Sequence, residues 1–321
     1  MNLLDTVAVT SRSFSNNQDL VNTLKAKYSK VIFNKSGATL QGQDLINFLS
    51  SADKAIIGIE EISAEILQQL PRLKVISKYG VGINNLDIDS LKSKGVKLGF
   101  TPGVNKQSVA ELALTLTLLS LRKIHRNHTE ITEGIWSQDK GSELFGKTVG
   151  LLGFGNIGQK FASFLEPFTC KIIFFDEKRF SNQELSSLGL DLEVKKGLIQ
   201  QGELEEVLSA ADILSIHLPL LDATENIINS KELKLLKSSV SIINTARGGI
   251  VYEPALHRFL SDNPDAFAAF DVYQEEPALE NPLFELPNFF GTSHRSSLTH
   301  EGINAMGRAA IAGLDDNKIL T

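Results

Sequence analysis

The sequence predicts an α/β protein of two Rossmann/flavodoxin-like doubly wound parallel-sheet domains, with an active-site cleft between them. Three observations predict it. Short aliphatic runs alternate with amphipathic stretches along nearly the whole chain, the pattern of successive β–α units. A Thr101-Pro102-Gly103 break separates two such series. A glycine-rich turn, Gly153-Phe154-Gly155-Asn156-Ile157-Gly158, follows the first apolar run of the second series. A length of 321 residues also suits two domains better than one core.

In the first series, strands are predicted at 6–11 (TVAVTS), 30–35 (KVIFNK), 54–58 (KAIIG), 74–80 (KVISKYG) and 97–100 (KLGF). Helices are predicted near 17–28, 42–51, 63–70 and 87–94, with Ser63 and Asp87 as N-caps. A single long apolar helix, too apolar for a surface element, is expected over 108–124. The second series places strands at 148–155, 171–176, 211–219, 239–246, 266–273 and 288–293, and a last helix at 300–314.

Composition narrows the function. Lys and Arg number 32 against 38 Asp and Glu, a net charge of −6, which offers nothing to nucleic acid or an anionic membrane. No apolar run reaches transmembrane length, and MNLLDTVAVT lacks a basic segment followed by an apolar one. The single cysteine, Cys170, excludes an intrachain disulfide and a cysteine-based metal cluster, and no His/Asp/Glu spacing suggests a metal. A cytoplasmic protein is expected.

The glycine turn carries the cofactor signal. Its glycines permit a tight turn, close approach of a pyrophosphate and close helix–strand packing, while the helix that follows offers free N–H donors. Asp176 ends the next strand, 18 residues past Gly158, where a carboxylate accepts hydrogen bonds from a ribose diol. That carboxylate repels a 2′-phosphate and so favours NAD, although Lys178 and Arg179 nearby leave room for dual cofactor use.

Three further strand ends carry chemistry. Arg247 follows Asn244-Thr245-Ala246, Asp271 ends the next strand and leads to Glu276, and His294 follows the last strand. Reduction of a keto acid needs a cation for the carboxylate and carbonyl dipole and an acid for the developing alkoxide. Arg247 can fork onto two oxygens. His294 can deliver the proton, with Glu276 favouring its charged form. His217 is read as a structural or cofactor-lining residue, and His125 and His128 as a solvated helix end.

These motifs resemble the D-isomer-specific 2-hydroxyacid dehydrogenase family, particularly its phosphoglycerate-dehydrogenase-like branch. The resemblance runs in order through YGVGINNLD (79–87), TPGVNKQSVAELAL (101–114), GKTVGLLGFGNIG (146–158), HLPLLDAT (217–224), NTARGG, DVYQEEP and the His294 segment. It implies Arg247, Glu276 and His294 as catalytic residues, and Gly80, Val81 and Gly82 as a backbone cradle for the substrate carboxylate, with Arg247 also binding substrate. It implies that Gly153, Gly155, Asn156, Ile157, Gly158, Asp176, Thr245, Ala246 and Asp271 bind NAD, Asp271 through the nicotinamide carboxamide. It further implies a homodimer through the cofactor domain, with an arm around Trp136. The expected division is a discontinuous substrate-binding domain, 1–101 plus 294–321, and an NAD-binding Rossmann domain, 102–293.

The sequence departs from the family in places. Ser293-His294-Arg295-Ser296-Ser297 replaces the usual proline and small residues around the histidine, and Asn84 stands where Asp is common. The stretch Ile57-Gly58-Ile59-Glu60-Glu61 lacks the arginine that several phosphoglycerate enzymes use for phosphate, a role Arg12 or Arg295 could take over. With the chain ending at Thr321, the regulatory domain of longer phosphoglycerate dehydrogenases is expected to be absent. The reading is therefore a small D-2-hydroxy acid, with a 3-phosphoglycerate-like one still open. The alternative is a non-catalytic NAD(H)-sensing or scaffold protein on the same fold.

Overall fold

Strand-forming runs, each followed by a helix, pair with one another in parallel and assemble two sheets, with one antiparallel bridge, Leu98 to Lys318, at the end of the first. The computed structural model describes residues 5–318, so residues 1–4, the start of the MNLLDTVAVT segment, and 319–321 lie outside the described residues. The chain divides into two units: residues up to Asn105 together with those from Ser297 onward, and Lys106–Ser296.

The first unit contains β1 (Thr6–Val9), β2 (Lys30–Phe33), β3 (Lys54–Ile57), β4 (Val75–Lys78) and β5 (Lys97–Gly99) in the order β2-β1-β3-β4-β5. That is the flavodoxin-like order, with its switch point between β1 and β3. The sheet's two faces bury separate apolar clusters, one around Ile57, Ile62 and Ile76, the other around Val7, Phe14 and Ile56. The helix His300–Gly313 lies against this sheet through two glycines: a Cβ on Gly99 would stand 2.2 Å from the carbonyl oxygen of Gly313. Ser77 Oγ donates to the Ala310 carbonyl at 2.6 Å at the same contact.

The second unit contains β6 (Thr148–Leu152), β7 (Lys171–Phe175), β8 (Ile199–Gln201), β9 (Ile213–Ile216), β10 (Ser241–Asn244), β11 (Phe267–Phe270) and β12 (Phe289–Gly291). Their order is β12-β11-β10-β9-β6-β7-β8, a Rossmann sheet with its switch between β6 and β9 and one strand added at the β12 edge.

The structure departs from the sequence reading in several places. The helix expected over 108–124 is two helices, Lys106–Leu121 and Ile124–Thr132, with Lys123 left-handed (φ 52°) between them. Ser142 N–H takes the Leu121 carbonyl at 2.8 Å, and a Cβ on Gly141 would lie 2.7 Å from the same oxygen, so the returning chain occupies the place of the next turn. Strand β8 has the sequence IQQ, too short and polar to show a period of two. Finally, residues 102–105, read with the NAD-binding domain, lie with the first unit, and residues 294–296, read with the substrate-binding domain, lie with the second.

Candidate active site

In a parallel sheet all strands end on one edge, and the second unit delivers its chemistry-bearing residues there. After β6 the chain turns through Gly153, left-handed at φ 92°, where a Cβ would lie 2.8 Å from the His217 carbonyl oxygen. A Cβ on Gly158 would lie 2.3 Å from the Gly153 carbonyl oxygen, so the helix Asn156–Phe164 packs on the turn without a side chain between. Gly155 differs: a Cβ there would meet nothing within 4 Å. It is also the N-cap, with no side-chain cap, so the first amides of the helix keep their donors.

Asp176, one residue beyond β7, accepts Phe154 N–H at 2.6 Å and Lys178 N–H at 2.9 Å. Its charge is thereby fixed at the rim of the glycine turn. After β10, Asn244 shapes the next turn: its side chain accepts from Ala246 N–H at 3.0 Å and donates to the Arg247 carbonyl at 3.0 Å. Thr245 is buried, and its hydroxyl has no partner among the described residues.

Arg247 Nη1 donates to the Ala246 carbonyl at 2.6 Å, which sets the guanidinium against its own turn. Burial lowers its pKa, opposed by the charge of Glu276, and an arginine stays cationic. His294 Nδ1 and Glu276 Oε2 are 2.8 Å apart. The hydrogen bond to Glu276 raises the His294 pKa above its ordinary value, against burial, with the charges of Glu276 and Asp271 adding to the rise. Burial pushes Glu276 up, but its hydrogen bond to His294, that residue's charge and Tyr273 N–H prevail and hold it below the usual carboxylate range. The pair thus favours carboxylate and imidazolium together.

Asp271 is 0% exposed and serves the histidine loop. Its Oδ1 accepts from Thr292 Oγ1 at 2.5 Å and Arg295 N–H at 2.8 Å, its Oδ2 from Ser296 N–H at 2.8 Å, and its carbonyl from His294 N–H at 2.8 Å. These bonds are why residues 294–296 travel with the second unit. They also hold His294 in a left-handed conformation, φ 48°. The Arg295 side chain is exposed and forms no ion pair among the described residues.

The second unit therefore brings together Arg247, Glu276, His294 and Asp271 on one sheet edge, with Gly153–Gly158, Asp176, Thr245 and Ala246 on the same edge. Gly80, Val81 and Gly82 belong to the first unit, half-buried after β4, with Gly80 at φ 122°. Arg12 donates to the Gly37 carbonyl at 3.0 Å.

His217 is half-buried, and removal of its ring from water drives its pKa down to about 3, so it is a neutral ring. Its Nε2 bonds Ser215 Oγ at 3.0 Å, while Nδ1 has no partner among the described residues. His125 is no freely solvated helix end: its ring packs edge-on against Phe290 at 5.0 Å, and burial lowers its pKa.

Sequence reasoning missed two residues in the first unit. Glu60 is buried and accepts from Thr10 Oγ1 at 2.6 Å and Gly58 N–H at 2.9 Å, and buried Lys78 donates to the Gly58 carbonyl. The signal was present, since both charges stand in or beside apolar strand ends. Among the described residues no cluster of His, Cys, Asp and Glu could hold a metal, and no helix is long and apolar enough to cross a membrane.

The residues fit a dinucleotide. The open space at Gly155, the uncapped helix N-terminus and the unpartnered Thr245 hydroxyl are all features a bound cofactor would satisfy.

Comparison with known proteins agrees. The family model described as D-isomer specific 2-hydroxyacid dehydrogenase, NAD binding domain, matches residues 114–296. D-3-phosphoglycerate dehydrogenase of Methanocaldococcus jannaschii is 32% identical over 271 residues, which are 84% of this chain and 50% of that protein. The chain thus spans about half the length of that relative. Hydroxypyruvate reductase of Thermotoga maritima is 34% identical over 274 residues, 84% of this chain and 85% of the relative. A solved acyclic imino acid reductase, in complex with NADPH and D-Arg, is similar with a TM-score of 0.83 at 26% identity, over 95% of this chain and 94% of its own.

Proposed function

The chain belongs to the D-isomer-specific 2-hydroxyacid dehydrogenase family, and on that premise we propose that it interconverts a small D-2-hydroxy acid and its 2-keto acid with NAD. The observation that carries the proposal is the 2.8 Å contact of His294 with Glu276 on the sheet edge that also bears Arg247.

Gly153, Gly155, Asn156, Ile157 and Gly158 hold the pyrophosphate, Asp176 the adenine ribose, and Thr245, Ala246 and Asp271 line the nicotinamide side. The cofactor, when bound, supplies or accepts the hydride. Arg247 takes the substrate carboxylate and carbonyl oxygen by its free N–H groups, one of its donors being held by Ala246. In the first unit, Gly80, Val81 and Gly82 offer backbone amides as a cradle for a carboxylate. His294 has Nδ1 on Glu276 and therefore presents Nε2 as the proton donor to the carbonyl oxygen in reduction, or as acceptor in oxidation. Glu276 stabilises the imidazolium and fixes the ring.

Ile57–Glu61 brings no arginine and Arg12 is engaged with Gly37, which leaves Arg295, exposed and without an ion pair among the described residues, as the cation for a phosphorylated tail; without it short neutral-tailed acids are favoured. NADH oxidation with glyoxylate, hydroxypyruvate, pyruvate, 2-ketoglutarate and 3-phosphohydroxypyruvate tests this. Turnover is expected on the short members. NADH binding without turnover on any would leave an NAD(H) sensor.

A homodimer through the second unit completes the reading. The helix Ile124–Thr132 fully buries none of its residues, and along 124–145 Ile124, Ile131, Ile135, Trp136 (81% exposed) and Phe145 are all exposed apolar side chains, the composition an interface draws on. A dimer in sedimentation velocity, lost in Trp136→Asp, is expected. A cytoplasmic setting suits the lone buried Cys170, whose thiol burial pushes up to about 11.

A further inference from the structure

We infer that Glu253 is a positioning residue for the Glu276–His294 pair, gripping the loop that carries Glu276 at both its ends. Glu253 opens the helix Glu253–Asp262, which follows β10. Its Oε1 accepts Gln274 N–H at 2.7 Å and its Oε2 accepts Asn281 Nδ2–H at 2.6 Å. The two grips lie either side of Glu276 in the chain. Asn281 is used twice, since its Oδ1 also accepts Leu283 N–H at 3.0 Å.

Between these grips only Ala278 packs on the apolar core. Gln274, Glu275, Glu276, Pro277, Leu279 and Glu280 are all exposed, and an exposed loop with few buried apolar contacts is loose unless tied. A carboxylate acceptor makes the stronger kind of hydrogen bond. With its ends held, the loop turns Glu276 back on itself: Oε1 accepts Tyr273 N–H at 3.1 Å while Oε2 reaches His294. At the same place a Cβ on Gly248 would lie 1.8 Å from the Tyr273 carbonyl oxygen, so the turn bearing Arg247 and the start of this loop are in backbone contact. Glu253 thus acts from outside the reacting atoms on the residue that polarises the acid.

This inference rests on the reading of His294 as acid and Glu276 as its partner, and the test separates the two. Glu253→Ala and Glu253→Gln are compared with wild type and Glu276→Ala in NADH-dependent keto-acid reduction, together with NADH affinity. Glu253→Ala is expected to lower kcat about tenfold or more, part of the ~100- to 10,000-fold that positioned acid–base groups contribute, with NADH affinity unchanged. The alkaline limb of kcat/KM, set by His294 among Glu276, Asp271 and Arg247, is expected to move to lower pH. A merely structural fault scales the profile without moving the limb. In a Glu276→Ala background the Glu253 substitution is expected to cost nothing further, and Glu253→Gln to recover part, since its amide oxygen still accepts one bond. An unmoved limb, or a full additional loss in the Glu276→Ala background, overturns the inference while leaving the pair in place. Undiminished turnover by Glu276→Ala removes the pair itself, and this inference with it. If Glu253→Ala does not fold, the limb in Glu253→Gln decides.

Discussion

His294 Nδ1 stands 2.8 Å from Glu276 Oε2 although the two residues are 18 apart in sequence and follow different strands. The contact raises the histidine's pKa and lowers the carboxylate's. Reduction needs a protonated His294, so kcat/KM for the keto acid is expected to be level at low pH and to fall as pH rises through a histidine pKa above about 6.5. Oxidation needs the neutral ring and is expected to rise through the same pH. Glu276→Gln should move both limbs down. Linkage follows the same signs. The histidine's contribution to stability is whole below its unfolded pKa and lost as pH rises through the folded one. The glutamate's is present above its unfolded pKa and lost as pH falls through the folded one. A pH–rate series in both directions checks this; identical limbs in wild type and Glu276→Gln would contradict it.

Arg247→Ala is expected to lose most turnover while NADH affinity holds. A charge-assisted hydrogen bond contributes roughly 1.5–3 kcal/mol, about 10- to 100-fold in kcat/KM for each one lost. Arg247→Lys should restore only a part, because an ammonium cannot fork onto two oxygens. Steady-state kinetics with a fluorescence titration of NADH separate the two effects, and near-normal turnover in the alanine variant would remove Arg247 from the mechanism.

Two glycines of one turn should fail in different ways. In Gly158→Ala the added Cβ meets the Gly153 carbonyl at 2.3 Å, so the fold is expected to lose about 1–3 kcal/mol, the usual cost of overpacking, together with NADH binding. In Gly155→Ala the Cβ meets no protein atom, so Tm should hold while the NADH Kd rises. A melting curve and an NADH titration on each variant decide. A fall in Tm for Gly155→Ala equal to that of Gly158→Ala would mean that Gly155 serves packing rather than cofactor approach.

Asp176 both carries charge and ties Phe154 and Lys178 N–H groups. Asp176→Asn removes the charge and keeps one acceptor oxygen for the part-buried Phe154 N–H, while water can serve the exposed Lys178 N–H, so it should narrow the preference for NAD over NADP with little change in Tm. Asp176→Ala should also loosen the turn and weaken both cofactors. Kinetics with each cofactor test it, and a wild-type preference for NADP would show that Lys178 and Arg179 outweigh the carboxylate.

Asp271→Asn is expected to lower kcat and Tm together. The amide keeps one acceptor oxygen and turns its NH2 either to Ser296 N–H, which Oδ2 accepted, or to Arg295 N–H, which Oδ1 accepted, leaving a buried donor unmatched at a cost of about 1–3 kcal/mol. Kinetics alongside thermal melting check it; a fall in NADH affinity alone, with Tm and kcat intact, would make Asp271 a cofactor ligand and no support for the loop.

The sequence by itself determined the two parallel sheets, because buried parallel strands must be aliphatic runs and each needs a helix to return. It also determined the glycine turn, where only the absence of a Cβ permits Gly153 and Gly158 to meet their neighbours, and the strand-end positions of Arg247, Asp271, Glu276 and His294. What only the tertiary structure decided involves partners distant in the chain. The break after Leu121 depends on Ser142 arriving at its carbonyl, which no local period reveals. The polar edge strand β8 exists because β7 offers it hydrogen bonds. The role of Asp271 as the anchor of the histidine loop, and the grip of Glu253 on Gln274 and Asn281, depend on which backbone N–H and amide groups come within 3 Å of a carboxylate. Apolar periodicity records which face of an element is buried. It does not record which polar group a buried carboxylate meets there, because that is set by the packing of whole elements rather than by the residues beside it.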